Sequence, residues 1–390
     1  MFQNRRQYSI WIICFLALSA CTHIPDSPDT DEPITIAKVK QILSQINSGA
    51  NLAKTNLAGL DLTKIDFKKI NMAGAYLYRT NLTGSTLTGV NLRDANLSYA
   101  TLQNVNLQNA DLSGAILAGV MIKNSNLSGA NLSEASLENA IIDRSTLIQT
   151  NFSSSNLAKI KVIESLLEKA NLQNVNLTES KIIRSDFSQS NIEYSDLSFM
   201  DGTGSTFRNA NFEGSNFFKS DFSRADLSNA KLSNVEAQRT LFTNATLENA
   251  NLSEINLIKA TLTETNFSGA NLSGANLSDV EATAANFTNA KLRNTQFTQA
   301  KMQHARLLHC DLTAAILTNA SLQQASFKNA RMHQADLSNA DLQKTNFQNA
   351  DLYQTKFSDA NIDQANFQRA KNIDLAIDLE SADNVNNAIF

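Results

Sequence analysis

From Leu52 onward, large apolar residues recur along the chain with a period of five. The series runs from Leu52 to Phe367 through 64 positions without one insertion or deletion, and only Gly202, Ala237 and Ala282 are small. The residue two positions before each centre is usually small, and the two residues after it are polar or glycine. Such strict self-similarity is the sequence signature of a repeat architecture.

The period of five predicts a short extended segment followed by a corner. Residues two apart on an extended chain point the same way, so the small residue and the apolar centre face inward together. The polar pair after the centre is rich in Gly and Asn at its second position, which suits a turn. Five residues cannot satisfy their own backbone hydrogen bonds, so each segment must pair with the coils above and below it.

A longer period of twenty is visible in the side chains. Eight of the fifteen phenylalanines at centre positions share one phase, which predicts rings stacked from coil to coil along one side, notably Phe327, Phe347 and Phe367. Asparagine is enriched at another phase, which predicts an outward ladder on one face. Its members are Asn71, Asn91, Asn131, Asn151, Asn171, Asn191, Asn211, Asn251 and Asn271.

The repeat resembles the pentapeptide-repeat family, whose signature is Ala-(Asp/Asn)-Leu-X-X. Ala130-Asn131-Leu132 and Ala270-Asn271-Leu272 match it directly, and the resemblance covers about residues 50–370. The resemblance implies an all-β fold, a right-handed quadrilateral β-helix with four pentapeptides per coil. About 16 coils at ~4.8 Å per strand spacing would give a rod of ~77 Å.

The three small centres are accompanied by large inward partners. Met200 precedes Gly202 by two residues, and valines stand in the same relation to Ala237 and Ala282. Protein interiors are packed to constant density, so this pattern indicates volume compensation between the two inward positions.

The N-terminus has the features of a lipoprotein signal peptide. Arg5 and Arg6 precede an apolar run from Ile10 to Leu18, which is too short to be a permanent membrane span. Leu18-Ser19-Ala20-Cys21 resembles the bacterial lipoprotein box, which implies lipidation of Cys21 and cleavage before it. Thr22, a residue other than Asp, then implies the outer membrane. An ordinary secretory signal with an incidental cysteine is the open alternative.

Five segments are expected along the chain. A lipoprotein signal peptide (1–20) precedes a flexible Pro- and Asp-rich tether (21–33), which holds all three prolines. Helical spacing of apolar residues then predicts a capping helix (34–49), with Gly49 as its stop. The repeats (50–370) are followed by a C-terminal cap (371–390) that loses the five-residue phase. Closing the last coil and pairing with another molecule both stay open for this tail, so end-to-end self-association is an expectation.

Charge and composition give no indication of catalysis. The net charge is −4, too small for a nucleic-acid-binding surface. His304, His309 and His333 fall at different phases of the coil, and Cys310 occupies a small inward position where cysteine packs as a compact apolar residue. We therefore predict no catalytic residue, no metal site and no cofactor.

A few outward apolar residues predict a surface for a protein partner. Met121 and Ile141 lie on one side, and Ile163 and Ile183 lie on the same side a few coils later. Phe199 and Phe218 lie on the adjacent side. Ordinary tolerance of isolated apolar surface residues is the competing interpretation.

Two functions follow from these features. The first is a non-enzymatic, lipid-anchored protein of the bacterial cell envelope that acts as a rigid scaffold or protein-interaction surface. The second comes from the resemblance, because some pentapeptide-repeat proteins mimic DNA, bind type II topoisomerases and protect gyrase from drugs. Such mimicry needs a dense acidic surface, whereas Lys161, Lys181, Lys231 and Lys291 here occupy the usual Asn/Asp position.

Overall fold

A computed structural model of the protein describes residues 33–44 and 50–390 of the 390-residue chain. Short bridges and turns make up most of the repeat region, and longer elements are few. They are the helix α1 (Ile36–Leu43), the strands β1 (Thr101–Gln103), β2 (Met121–Lys123), β3 (Ile141–Asp143), β4 (Lys161–Ile163) and β5 (Lys181–Ile183), and 3-10 helices at Ile373–Leu375 and Val385–Asn387.

The repeats form a parallel β-helix with twenty residues in each coil, as predicted. Parallel bridges join the residue before each centre to its counterpart twenty positions later, so one ladder begins at Asn51, continues at Asn71 and reaches Lys371. The N–H of Leu52 donates to the carbonyl of Asn71 at 2.8 Å, and this bond recurs from coil to coil. Because the ladder uses these N–H groups, proline would break it.

Most corners are tight turns closed by one backbone hydrogen bond. In the repeat centred on Met72, the Ala75 N–H donates to the Met72 carbonyl at 3.0 Å. The residue two positions after a centre takes a positive φ, which is 65° at Gly74 and 55° at Arg79. Glycine and asparagine reach this left-handed conformation at low cost, which explains their enrichment there.

The interior contains the predicted stacks of phenylalanine rings. The centroids of Phe327 and Phe347 lie 5.2 Å apart with an interplanar angle of 4°, and those of Phe347 and Phe367 lie 4.9 Å apart at 2°. Phe267 and Phe287 stack in the same way at 5.0 Å. The prediction of a shared phase for these rings is confirmed, and each stack ties neighbouring coils together.

The predicted asparagine ladder is also present on the outside. Nδ2 of Asn151 donates to Oδ1 of Asn131, and Nδ2 of Asn171 donates to Oδ1 of Asn151, both at 3.0 Å. Asn91 and Asn271 make the same bond to the asparagine one coil earlier. Side-chain amides therefore continue the backbone ladder on this face.

The small centre at Gly202 is filled by its inward partner. A Cβ atom added at Gly202 would lie 3.0 Å from Cε of Met200 and 3.3 Å from Cδ1 of Phe222. Met200 is itself fully buried. The contact geometry agrees with volume compensation between the two inward positions.

One face of the solenoid contains short β-strands where the other faces have single bridges followed by tight turns. Strands β1 to β5 form a parallel sheet in chain order, and Met121 pairs with Ile141 in its register. The Ser125 N–H donates to the Ser145 hydroxyl at 3.1 Å instead of closing a turn. The same bond recurs along the whole sheet, through serines one coil apart: Ser125, Ser145, Ser165, Ser185 and Ser205. We call these five residues the serine ladder.

The sheet ends where the serine ladder ends. The Ser205 N–H returns to the Gly202 carbonyl at 3.2 Å, because Ala225 follows one coil later. Val175 also donates to a serine hydroxyl on another face, that of Ser195 at 3.1 Å, where no strand extends beyond a single bridge. The serine bond therefore accompanies the strands and does not create them alone.

The helix α1 covers the first coil with one side. Thr35 caps it by accepting the Lys38 N–H at 3.3 Å, and Val39 is fully buried against the core. The Ile34 N–H donates to the Asn56 carbonyl at 3.2 Å and fixes the helix to the solenoid. The helix ends at Leu43, with Ser44 as its C-cap. The predicted stop at Gly49 lies outside the described residues.

The tail forms a last coil with sides of six residues. Lys371 pairs with Asp351 twenty positions earlier, but Ile377, Asp383 and Ile389 pair with residues 21, 22 and 23 positions earlier. A residue with positive φ follows each of the first three bridges: Asn372, Asp378 and Asn384. The tail therefore continues the stack as a last coil, and its pairing with another molecule stays a prediction.

Candidate interaction surfaces

Four of the six predicted surface residues lie on the sheet of β1 to β5. Met121 pairs with Ile141 in one column, and Ile163 pairs with Ile183 in the column two residues further along the strands. Met121 is 44% exposed, and the three isoleucines are half-buried. Between the columns lies a buried row that includes Ile142, so the apolar side chains stand on a closed core.

Charged residues complete the two columns. Lys161 and Lys181 follow Ile141 in its column, are paired in register and are both exposed. In the other column the Arg144 guanidinium donates to both carboxylate oxygens of Asp143, at 3.0 and 2.9 Å, and lowers the pKa of that carboxyl. The sheet therefore offers apolar side chains beside lysines that make no ion pair with any described residue.

Phe199 and Phe218 form an aromatic pair at the neighbouring corner. Their ring centroids lie 5.7 Å apart in an edge-to-face arrangement, and Phe199 is 51% exposed. The Lys219 ammonium lies 5.1 Å from the Phe218 ring centroid and 5.5 Å from that of Phe199. Such cation–π contacts hold a lysine over apolar surface without an acidic partner.

The corner pair is close to the sheet along the chain and across the ladder. Asp201, two residues after Phe199, pairs with Lys181 of β5, and Ile183 lies two residues after Lys181. The predicted patch thus consists of two parts on adjoining sides. We call the six residues together the lateral patch: Met121, Ile141, Ile163, Ile183, Phe199 and Phe218.

Sequence reasoning missed an aromatic cluster on the early coils. Tyr76 and Tyr78 stack at 6.0 Å, Tyr99 meets Tyr78 edge-on at 5.9 Å, and the Arg79 guanidinium lies 5.1 Å from the Tyr78 ring centroid. Asn96, which pairs with Tyr76 in the ladder, has a buried Nδ2 without a hydrogen-bond partner. The sequence does contain a signal for this cluster, because three of the six tyrosines lie between positions 76 and 99.

The residues considered for chemistry are scattered. His304 and His309 lie at exposed corners, whereas His333 contacts a carboxylate oxygen of Asp351 at 2.9 Å. Cys310 is buried, its Sγ donates to the Phe287 carbonyl, and burial raises the pKa of the thiol to about 12. The described residues contain no group of three His, Cys, Asp or Glu side chains that could hold a metal ion.

The predicted lipidation site, Cys21, lies outside the residues that the structure describes. Among residues 33–44 and 50–390, no helix has the length and apolar character needed to cross a membrane.

The fold and its faces define a class of protein, the parallel β-solenoid built from pentapeptides. A model of the pentapeptide repeat region matches residues 60–137, 140–217, 282–357 and 300–375, and a model of eight pentapeptide repeats matches 203–234 and 240–279. Because the first model alone matches more than half of the chain, the protein belongs to the pentapeptide-repeat family. Neither model describes a catalytic domain. No curated protein matches the chain.

Solved structures of the same family are similar to the chain. HetL, a pentapeptide repeat protein involved in heterocyst differentiation regulation in the cyanobacterium Nostoc sp. strain PCC 7120, is 27% identical over 65% of this chain and 97% of its own, with a TM-score of 0.27. QnrB1, a plasmid-mediated fluoroquinolone resistance protein, is 17% identical over 55% of this chain and 89% of its own, with a TM-score of 0.29. A protein of the Arabidopsis thaliana thylakoid lumen is 32% identical over 27% of this chain and 66% of its own, with a TM-score of 0.19.

Proposed function

We propose that the protein is a non-enzymatic, lipid-anchored scaffold of the bacterial cell envelope that holds a protein partner against its lateral patch. The observation that carries the proposal is the sheet of β1 to β5, where outward apolar residues lie on parallel strands paired in register. A rigid backbone loses little conformational freedom when a partner binds, which favours its use as an interaction surface.

Lipidation would fix the scaffold to a membrane through Cys21. The apolar run that ends at Leu18 and the small residues before the cysteine support this assignment. Each buried methylene contributes about 0.8 kcal/mol, so two or three acyl chains anchor a protein stably. Thr22 after the cysteine supports delivery to the outer membrane.

The proposed docking surface combines apolar and basic side chains. Met121 and the isoleucines provide apolar area, and Lys161 and Lys181 provide unpaired positive charge beside it. A partner with apolar residues flanked by carboxylates would match this arrangement, because complementary charge fixes the orientation of a complex and speeds its formation.

The anchor is tested by the mass of the mature N-terminal peptide from the membrane fraction of the native host. We expect a peptide that starts at an acylated Cys21, and we expect Cys21→Ala to abolish acylation. Cys14→Ala is the matched control and should leave the modification intact. An unmodified chain that starts at Met1 in the cytoplasm would contradict the anchor and turn attention to topoisomerase protection.

The docking surface is tested by a photo-crosslinking amino acid placed at single positions in cells. Placement at Ile163 should yield one discrete adduct with a partner, and the adduct should disappear when Met121 and Ile183 are both changed to Ser. Ser153, on the asparagine-ladder side, is the control position and should give no such adduct. Equal adducts from both positions would show that the patch has no special role.

A further inference from the structure

We propose that the C-terminal end of the solenoid is a second docking site, which binds a segment with basic side chains around an apolar face. This proposal concerns the last coil alone and does not depend on the function proposed for the lateral patch. It rests on three observations: a concavity, exposed apolar side chains around it, and an uncompensated negative charge.

The last coil encloses a concavity of 750 Å³ at the end of the core. Its lining includes the apolar side chains of Ile373, Leu379, Val385 and Phe390. Volumes of about 300–1,000 Å³ are typical of ligand pockets, so the space can hold the side chains of a bound segment. Phe390 forms part of the wall and stacks on Phe367, with ring centroids 5.4 Å apart.

Large apolar side chains at this end remain open to solvent. Leu375 is 47% exposed, Ile377 39%, Ile389 45% and Phe390 60%. Phe390 lines the concavity, and Leu375 lies between its lining residues Asp374 and Ala376. Ile377 and Ile389 occupy bridge positions on other sides of the last coil. Exposed apolar side chains beside a concavity with a polar rim are typical of an interaction site.

Every charged residue that lines the concavity is acidic. These residues are Asp374, Asp378 and Glu380, and Asp383 follows them in the chain. Residues 372–390 contain no Lys, Arg or His. An occupant with positive charge around its apolar face would pair with this rim, and charge complementarity therefore identifies the partner as basic and amphipathic.

A second copy of the chain fits this end less well. Two tails brought together would place both acidic rims in contact at neutral pH, and like charges at an interface are unfavourable. The backbone at this end also lacks a continuous extended edge to which a further strand could pair. Asn372, Asp378 and Asn384 have positive φ and directly follow the bridged residues. End-to-end self-association stays a prediction, and the experiment below distinguishes it.

The test uses the full-length protein in a neutral detergent and a fluorescein-labelled amphipathic peptide made only of Lys and Leu. Fluorescence anisotropy should show saturable binding that weakens as salt rises. The triple variant Asp374→Asn, Asp378→Asn, Glu380→Gln should bind about tenfold more weakly, since each rim charge contributes modestly. Leu375→Ser should also weaken binding while preserving its salt dependence.

A matched triple variant on the sides of the rod controls for general attraction to a negative protein. Glu134→Gln, Glu248→Gln and Glu264→Gln remove three exposed charges whose side chains make no hydrogen bond or ion pair with a described residue, and should change affinity less than twofold. Equal losses in the two triple variants would overturn the proposal. A dimer seen by sedimentation, dissolved by Leu375→Ser and not displaced by the peptide, would also overturn it, because the occupant would then be a second copy.

Discussion

At the scale of single residues, each pentapeptide has two inward side chains whose volumes compensate for each other where the centre is small. The sequence alone predicted this pairing at Gly202, because the period of five assigns every residue an inside or an outside. Met200 reaches into the space above Gly202, and its Cε atom is the nearest side-chain neighbour of a Cβ built there. The fold of the repeats was predictable for the same reason: one periodicity determines both burial and pairing.

We predict that Met200→Ala destabilises the protein by about 2–5 kcal/mol, because the removed side chain leaves a cavity that a glycine centre cannot fill. The free energy of unfolding from urea titration measures the effect. Val120→Ala, at the same inward position beside the full-sized centre Ile122, should cost less. Adding Gly202→Leu to Met200→Ala should restore part of the loss, and an unchanged stability of Met200→Ala would refute compensation.

Cys310 should be inert in the folded protein. Burial raises the pKa of its thiol to about 12, so thiolate is scarce at pH 8. In a variant with Cys14 and Cys21 changed to Ser, we expect no reaction with a thiol reagent until urea unfolds the chain. Rapid reaction of the folded protein would contradict this assignment.

The same shift has a consequence for stability at alkaline pH. The unfolded thiol has a pKa of about 8.5. Because the folded state favours the protonated thiol, Cys310 contributes stability that is fully present below that pH and is lost as pH rises toward 12. Comparison of the wild type with Cys310→Ala in urea at pH 7 and pH 10 should show a larger alkaline loss in the wild type. Equal losses would show that the thiol is not protected.

At the scale of elements, the sequence predicted a C-terminal cap at 371–390 but neither its six-residue sides nor the five strands. The serine ladder was not recognised because serine at an inward position counts only as a small residue. The bond needs a serine hydroxyl one coil after the residue whose backbone N–H donates, as Ser165 accepts from Ser145. The positions of the lateral patch follow from the periodicity, but the strands beneath its first four residues, which these hydrogen bonds accompany, do not.

Ser165→Ala should destabilise the sheet. The change removes the acceptor of the Ser145 N–H and the hydroxyl that donates to the Ile163 carbonyl. A buried N–H left without a partner costs about 1–3 kcal/mol, unless the corner rearranges to the ordinary turn. Urea unfolding measures the loss, and Ser153→Ala, whose hydroxyl makes no described bond, is the control. Equal stability of the two variants would argue against a structural role for the ladder.

The six-residue sides of the tail also escaped sequence reasoning. Asn372, Asp378 and Asn384 recur every six residues, and so do Ala376, Ala382 and Ala388. Three short repeats after 64 of another length were too few to stand out as a period. The structure identifies them because the sequence separation of the bridged residues grows by one with each new side.

At the scale of the whole molecule, a β-solenoid is a one-dimensional stack in which each coil contacts its neighbours. Deleting a complete coil, Leu241 to Ala260, leaves every later residue at the same position within its coil. The variant should therefore fold and unfold cooperatively. Deleting only Asn251 to Ser253 moves every later centre out of phase with the coils before it. We predict that the smaller deletion is the more damaging one.

Circular dichroism with thermal melting checks this pair of deletions. The twenty-residue deletion should lower the melting temperature by only a few degrees, because it removes one neighbour interface among many. The three-residue deletion should lower it further or abolish the β signal. The reverse order of stability would mean that coil register is not what holds the rod together.

The last coil has a consequence for the polymerisation of such molecules. Parallel, in-register stacking of equal strands is also the way amyloid fibrils grow, and an open strand edge is a template for that growth. In this chain the edge turns away after Lys371, Ile377 and Asp383, each followed by a left-handed residue. We therefore expect the tail to hinder the addition of a further strand, which would keep a fibre-like architecture at a finite, encoded length.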